Sequence, residues 1–592
     1  MSKIHLIAIG GAAMHNLAIA LKHKGYAVSG SDDEIFEPSR SHLESEGLLP
    51  TKMGWDENRI TADIDAVIVG MHARQDNPEL QRAQQLGLKI YSFPEYLYEQ
   101  TKDKTRIVVA GSHGKTTTTS MILHVLKGVG VKADFMVGAK IEGFDTMVSL
   151  SDDSRYAVFE GDEYLTSPLD PQSKFNHYHP HVAILTGIEW DHINAFPTLE
   201  KYVATFQNFI NLIEPNGVLI YNSADTHIQQ IVKNARKDIK LIPYTAHDAR
   251  VIHGQTYLTT SEGELPLQIF GNHNLQNLNA AMLACQQIGI SNADFYLQIQ
   301  SFHGAANRLE KIYQSEQTIA FKDFAHSPSK LKATINAVRQ QYPGFKLVAC
   351  MELHTFSSLT AEFLPQYAGS MQQADIAFVY YNPKVIEHKR LQPITPDEVR
   401  KAFATDNVEV YTDFEQIKDK LYALDYKNTA LLMMTSGSFD GVNLADFVNK
   451  MMADVKIHKL DHRYMRMARI WAENSYCTRR QVGALLVKDK MIISDGYNGT
   501  PSGFPNHCED ENNTSLPYVL HAEANAITKV ARSNNSSDGA TLYVTASPCM
   551  ECAKLIIQAG IKRVVYGEKY RIMDGADLLE KAGIEVVFHP DN

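Results

Sequence analysis

The sequence predicts an α/β chain of several domains, and three observations carry that reading. Short apolar strands alternate with helical segments through most of the length, the pattern of parallel sheets covered by helices. The 592 residues correspond to roughly four domains. Hydrophobic residues make up 44% and charged residues 21%, which supplies several buried cores and excludes a collagen-like or wholly disordered chain.

Residues 3–9 (KIHLIAI) read as a strand, Gly10-Gly11 as a turn and 16–24 as a helix. A second strand ends in SGSD, which places Asp32 about 20 residues beyond the glycines, the Rossmann-type spacing for holding a ribose or base edge. The third glycine of that fingerprint is absent, because Ala12-Ala13-Met14 follows. A nucleotide-binding turn and an ordinary tight βα turn therefore both stay open. Polar or irregular stretches at 99–105, 303–307 and 452–459 mark breaks, giving expected domains at 1–103, 104–302, 303–452 and 453–592.

Charge and cysteine content narrow the function. Lys and Arg number 57 against 68 Asp and Glu, a net charge of −11, so no nucleic-acid partner is expected. No run approaches about 18 apolar residues, and the N-terminal apolar run leads into Gly-Gly rather than a cleavage site. A cytoplasmic protein without membrane contact is expected. Six cysteines are too sparse for a secreted disulfide framework, yet four of them fall in the last 116 residues.

The strand RIVVA runs into Gly111-Ser112-His113-Gly114-Lys115-Thr116-Thr117 and then a helix. Glycines let backbone N–H groups curl round phosphate oxygens, and the helix N-terminus adds its positive end. Lys115 supplies a charge for the β/γ-phosphates of ATP, and the Thr116 hydroxyl a ligand for Mg²⁺. Glu160 in VFEGDEY and His192 in GIEWDHINAF, each at a strand end, complete a plausible magnesium set.

These residues together resemble the Mur ligase family, the ATP-dependent amide-forming enzymes of peptidoglycan synthesis. The resemblance spans about residues 1–450. It implies a Rossmann-like N-terminal domain binding UDP-N-acetylmuramate, with Gly10, Gly11 and Asp32 in that region, a central P-loop domain and a Rossmann-like C-terminal domain. His273, Asn274 and Asn277 in GNHNLQN stand where the family contacts adenine. Arg308 in ANRLE stands at its phosphate-contacting arginine, and Asp323 and His326 in KDFAHSPS at its third-domain motif. Lys115 and His326 are the implied catalytic residues.

The tract 173–196 looks most like the murein peptide ligase branch, which joins UDP-N-acetylmuramate to L-alanyl-γ-D-glutamyl-meso-diaminopimelate. The branch that uses L-alanine is the alternative. Ser327 replaces the second His of the family's AHHP, and His354 stands where the peptide-ligase branch carries Arg. The family's carbamylated lysine has no counterpart, as is usual among muramate-using members. The implied reaction forms an acyl phosphate on the lactyl carboxylate, which the amine then attacks.

The C-terminal constellation is His521-Ala522-Glu523 followed by Pro548-Cys549-Met550-Glu551-Cys552, the H-x-E…P-C-x-x-C signature of zinc nucleobase deaminases. His521, Cys549 and Cys552 offer three zinc ligands and leave a fourth position for water, while Glu523 moves the proton. The segments YCTRRQVGALLV, DGYNGTPSGF, LHAEANAI and LYVTASPCMECAKL are similar to the deoxycytidylate deaminase family, whose fold is an α/β/α cytidine-deaminase-like domain. That resemblance implies dCMP as substrate, Asn498 at the sugar hydroxyl and Tyr570 near the phosphate. Arg479 and Arg480 read equally as phosphate partners or a solvated pair. Relatives of this kind commonly form homo-oligomers through this domain. The alternative to a second enzyme is that the domain only binds nucleotides or drives oligomerisation, against which the intact Glu523 argues. Cys477, His507 and Cys508 are the available donors for the second zinc that some relatives carry.

Overall fold

The computed structural model describes residues 2–590 except 72, 140, 142, 168, 191–194, 262, 306, 307 and 571. The chain divides into two compact units, Met1–Val448 and Asn449–Asn592.

The first unit holds three β-sheets of α/β type. Its N-terminal sheet is parallel, with strands in the order Ala27–Ser31, Lys3–Ile7, Ala66–Val69, Lys89–Ser92. Ile4, Leu6, Ile7, Val67 and Ile68 are buried in it, as near-continuous apolar strands covered on both faces require. Helix Ala12–His23 packs its Leu17, Ala18 and Leu21 against this layer.

The central sheet has seven strands, ordered Lys240–Tyr244, Val218–Asn222, Val182–Leu185, Thr105–Ala110, Tyr156–Gly161, Ala133–Met136, Val148–Ser149. All neighbours are parallel except the last pair. Thr105–Ala110 sits in the middle, buried from Arg106 to Ala110, so the turn after it opens at the carboxyl edge of the sheet. An antiparallel meander, Ala249–Ile252, Gln255–Thr260 and Gly263–Leu267, follows.

The third sheet runs Glu310–Gln314, Thr318–Asp323, Thr429–Met434, Lys346–Glu352, Ile376–Tyr380, Val408–Tyr411, parallel after its first pair. Its strand Thr318–Asp323 ends at the KDFAHSPS motif, and helix Pro328–Gln341 starts just beyond.

The second unit is a five-stranded mixed sheet ordered Met491–Tyr497, Gly483–Lys488, Thr541–Ala546, Arg563–Glu568, Glu585–Phe588. Helices Ala522–Ala531, Met550–Gln558 and Asp574–Lys581 bury Ala526, Ile556 and Leu579 against it.

Two features differ from the sequence expectations. The two units meet at 448/449, near the break expected at 452–459, but the connection is one continuous helix, Leu444–Ala472, and not an irregular stretch. That stretch is polar but contains neither Gly nor Pro, so nothing in it stops a helix. Cys477 and Cys508, read as candidate donors for a second metal, are joined in a disulfide with Cα atoms 5.0 Å apart. Nothing but a separation of 31 residues linked these two cysteines beforehand.

Candidate active sites

The phosphate loop is shaped by two glycines. Gly111 has φ +132° and Gly114 φ +73°, and a Cβ on either would strike the Thr186 hydroxyl or the Asn277 amide. Helix Lys115–Gly128 begins at once, aiming its first N–H groups into the turn. The Lys115 ammonium donates to the Gly111 carbonyl at 2.7 Å and to Glu163 Oε2 at 2.6 Å. Burial alone would lower its pKa, but the carboxylates of Glu163 and Asp162 outweigh it and hold the lysine above its ordinary value. Thr116 Oγ1 donates to Glu160 Oε1 at 2.8 Å, and Glu160 Oε2 accepts from the Gly138 N–H at 2.7 Å. His192 lies outside the described residues.

The third domain closes this edge into a cleft of about 540 Å³, a size suited to a nucleotide. Lys115, Thr116, Thr117, Glu160, His273 and Arg308 are among its lining residues, with Asp323 and His326. Burial pushes His273 down to about 4, so a neutral imidazole faces the cleft. Asn274 donates to the Phe270 carbonyl at 2.9 Å, which orients its amide, and Asn277 is buried beside Gly114. The Arg308 guanidinium stacks 4.5 Å from the Phe324 ring centroid. Asp323 accepts from the N–H groups of Leu309 at 2.6 Å and Ala325 at 2.8 Å, fixing the chain on both sides of the cleft wall. His326 shares Nδ1 with the Phe324 carbonyl at 2.9 Å.

His113 pairs through Nε2 with Glu189 at 3.0 Å and Ser329 at 3.1 Å, while its Nδ1 is buried without a hydrogen-bond partner. An orphaned buried nitrogen beside two glycine cradles is what a bound phosphate or nucleotide would satisfy, so the residues fit ATP. The adjacent oxygens of Thr116 and Glu160 suit Mg²⁺.

Gly10 and Asp32 meet directly: the Gly10 N–H donates to Asp32 Oδ2 at 2.7 Å. Burial raises the Asp32 carboxyl to about 6. Gly11 precedes helix Ala12–His23 as its N-cap. Asp32 thus clamps the glycine turn.

In the second unit the C-terminal signature converges. His521 caps helix Ala522–Ala531 and Cys549 caps helix Met550–Gln558. His521 Nδ1 lies 3.4 Å from both the Cys549 and Cys552 sulfurs, and ligand atoms of all three sit within 4.8 Å of one another. Hydrogen bonds from Cys552 and His521 hold the Cys549 thiol well below its ordinary value, an acidity that favours cation binding. Two sulfurs and one imidazole nitrogen with an open fourth position are the donor set of a catalytic zinc site. Glu523 is 4% exposed in the first turn of its helix, and burial raises its carboxyl.

Asn498 is anchored by the backbone beside it. Its amide donates to the Arg480 carbonyl at 2.8 Å and accepts from the Val482 N–H at 2.8 Å. Tyr570 is exposed, with the Arg480 guanidinium 5.2 Å from its ring centroid and Arg480 also paired to Glu568.

Three residues escaped the sequence reading: Glu163, which holds Lys115; Glu189, which holds His113; and Tyr202, which donates to Glu163 at 3.2 Å. Glu163 was detectable as the third acid of VFEGDEY. Tyr202 had no signal, because it arrives from a helix distant in sequence.

Comparison with known proteins follows the same division. The Mur ligase family catalytic domain matches residues 3–105, the Mur ligase middle domain 109–285, and the Mur ligase glutamate ligase domain 307–437. The cytidine and deoxycytidylate deaminase zinc-binding region matches 458–568. A dCMP deaminase from the cyanophage S-TIM5, solved with dCMP and dUMP, is 47% identical over 22% of this chain and 97% of its own, with a TM-score of 0.22. A UDP-N-acetylmuramate–L-alanine ligase of Carboxydothermus hydrogenoformans is 32% identical over 63% of this chain and 81% of its own. A UDP-N-acetylmuramate–L-alanyl-γ-D-glutamyl-meso-2,6-diaminoheptandioate ligase of Haemophilus influenzae is 27% identical over 75% of this chain and 98% of its own. The chain belongs to the Mur ligase family and carries, at its C-terminal end, a cytidine and deoxycytidylate deaminase zinc-binding domain.

Proposed function

We propose that one chain performs two reactions: ATP-dependent ligation of UDP-N-acetylmuramate to a peptide amine, and zinc-dependent hydrolysis of dCMP to dUMP. The ligase reading is carried by the cleft that gathers Lys115, Thr116, Glu160 and Arg308 from two domains. A carboxylate is a poor acyl donor, so ATP first converts the lactyl carboxylate to an acyl phosphate, and the amine then displaces phosphate. Lys115 and Arg308 stabilise charge on the transferring phosphoryl group, and most of the catalysis is positioning and electrostatics. Thr116, Glu160 and His192 are the residues that would hold Mg²⁺, which when bound would supply charge neutralisation for the phosphates. His326, on the same cleft, is assigned the proton of the incoming amine.

The tripeptide L-alanyl-γ-D-glutamyl-meso-diaminopimelate is the proposed amine, supported by the near full-length match to the Haemophilus ligase. L-Alanine is the second reading, favoured by the higher identity to the Carboxydothermus enzyme. Phosphate release with UDP-N-acetylmuramate and each amine in turn separates them. Stimulation by the tripeptide supports the first; stimulation by L-alanine alone sinks it.

For the deaminase, His521, Cys549 and Cys552 would hold zinc, which when bound would supply the Lewis acidity that makes water nucleophilic near neutral pH. Glu523, buried and not needed as a ligand, holds the proton and passes it to the cytosine ring and the leaving ammonia. Arg480 and Tyr570 lie together on the exposed side, where a 5′-phosphate would be met. The acidic net charge favours a free nucleotide over nucleic acid. Ammonia release from dCMP, compared with that from cytidine and from single-stranded RNA, tests the assignment; preference for RNA would contradict it.

A further inference from the structure

Lys115, the cation of the phosphate loop, is paired with a buried acid. Its ammonium donates to Glu163 Oε2 at 2.6 Å, and the Glu163 side chain is 1% exposed. The neighbouring Asp162 turns to Lys174 instead. Among the described residues Glu163 is therefore the one carboxylate hydrogen-bonded to Lys115. Glu163 also lines the nucleotide cleft. A triphosphate drawn to this lysine meets an anionic competitor, in a site where charges act more strongly than in water.

The direction of the neighbouring hydrogen bonds shows what holds Glu163 in place. Tyr202, on helix Leu199–Asn211, is fully buried, with its ring edge-on to those of Phe196 and Phe206. Its hydroxyl lies 3.2 Å from Glu163 Oε1 and 2.8 Å from Ser112 Oγ. A carboxylate only accepts, so the single Tyr202 proton goes to Glu163. The Tyr202 oxygen then accepts from the Ser112 hydroxyl, whose own oxygen accepts from the Glu189 N–H at 2.9 Å. Every donor in this chain points toward Glu163. One carboxylate oxygen is held by Lys115, and the other by a hydroxyl relay anchored on the phosphate loop itself.

We propose that Glu163 is a built-in competitor of the γ-phosphate for Lys115, and that Tyr202 is a positioning residue which keeps Glu163 satisfied when the lysine turns to phosphate. This rests on the ATP-dependent reading of the cleft and is independent of which amine the ligase uses. The two residues then act on triphosphate affinity with opposite sign. Removing the Glu163 charge frees the lysine. Removing the Tyr202 hydroxyl makes the carboxylate depend more heavily on the ammonium, so the exchange becomes costlier. A merely structural role would move both variants in the same direction.

The test is equilibrium binding of the β,γ-imido analogue of ATP with Mg²⁺, followed by calorimetry on the full chain. AMP serves as the control probe, because it lacks the phosphates that reach Lys115. Glu163→Gln is expected to bind the analogue about tenfold more tightly than wild type, and Tyr202→Phe about tenfold more weakly. Both should bind AMP as wild type does. Unchanged analogue affinity in either variant, or a shift of the same sign in both, would overturn the proposal and leave the ATP reading standing. A wild type that binds no analogue would sink the ATP reading and the proposal with it. If Glu163→Gln does not purify, Tyr202→Phe is read alone, since it keeps the ring in its aromatic cluster. A loss for the analogue that AMP does not share supports the proposal, and equal losses for the two probes overturn it.

Discussion

The Lys115 ammonium sits 2.6 Å from the Glu163 carboxylate, so the cation of the phosphate loop carries its own internal counter-ion. Tyr202 donates to the other oxygen of Glu163 and also shares a hydrogen bond with Ser112 of the loop. The loop is therefore held ready by a network that a triphosphate must re-partition rather than build.

Removing the cation should disable ligation without unfolding the chain. Lys115→Met is expected to lower ligase kcat/KM by about 10²–10³-fold, the usual effect of losing one charge-stabilising donor. Glu163 is then left without its ammonium, so a modest loss of stability should accompany it. Amine-dependent phosphate release and a thermal melt check both.

The Asp32 carboxyl, raised by burial to about 6, gives a pH signature. Its folded value lies above the unfolded one, so its contribution to stability is complete below about pH 4 and is lost as pH rises through about 6. The shift is worth at most about 3 kcal/mol. Asp32→Asn keeps an acceptor for the Gly10 N–H and removes the buried charge. The variant should melt higher than wild type at pH 7.5, with the advantage disappearing below pH 4.

Metal removal should separate the two halves. A thiol-compatible zinc chelator is expected to abolish dCMP deamination, and stoichiometric zinc to restore it. Ligation in excess Mg²⁺ should persist, since Lys115, Thr116 and Glu160 owe nothing to Cys549 or Cys552. Loss of ligation in parallel with deamination would contradict this division.

Exposed apolar side chains make self-association through the second unit testable. Of 22 large exposed hydrophobic residues among those described, 14 lie from Ile457 onward, including Ile470, Trp471, Met491 and Ile572. Together with the homo-oligomer that the deaminase resemblance implies, this concentration makes the second unit the place to test for self-association. Light scattering of the full chain should give a homo-oligomer, and Ile470→Asp/Trp471→Glu should shift it toward the monomer. A monomeric wild type at micromolar concentration would refute the assignment.

Much of this was legible in the residues because the chemistry is local in sequence. Gly111 to Thr117 form one turn, and Cys549 and Cys552 share one helix start, so spacing alone brought each group together. Pairs that depend on long chain returns were not legible, as with Tyr202 on Glu163 and Ser329 on His113, 216 residues away. Nor did the residues show that the Asn498 amide is oriented by the backbone at Arg480 and Val482, 18 and 16 residues away. The continuity of helix Leu444–Ala472 was not legible because a change of sequence character near 452–459 signals a change of unit, while no Gly or Pro there interrupts the helix.

The central claim, that one chain carries two independent chemistries, is tested most directly by measuring both products from the same preparations. Phosphate from ATP with UDP-N-acetylmuramate and amine, and ammonia from dCMP, would be followed for wild type, Lys115→Met and Glu523→Gln. Each variant should lose one product by about 10²-fold or more and keep the other at the wild-type rate. Wild type releasing only one product, or either variant losing both, would contradict it.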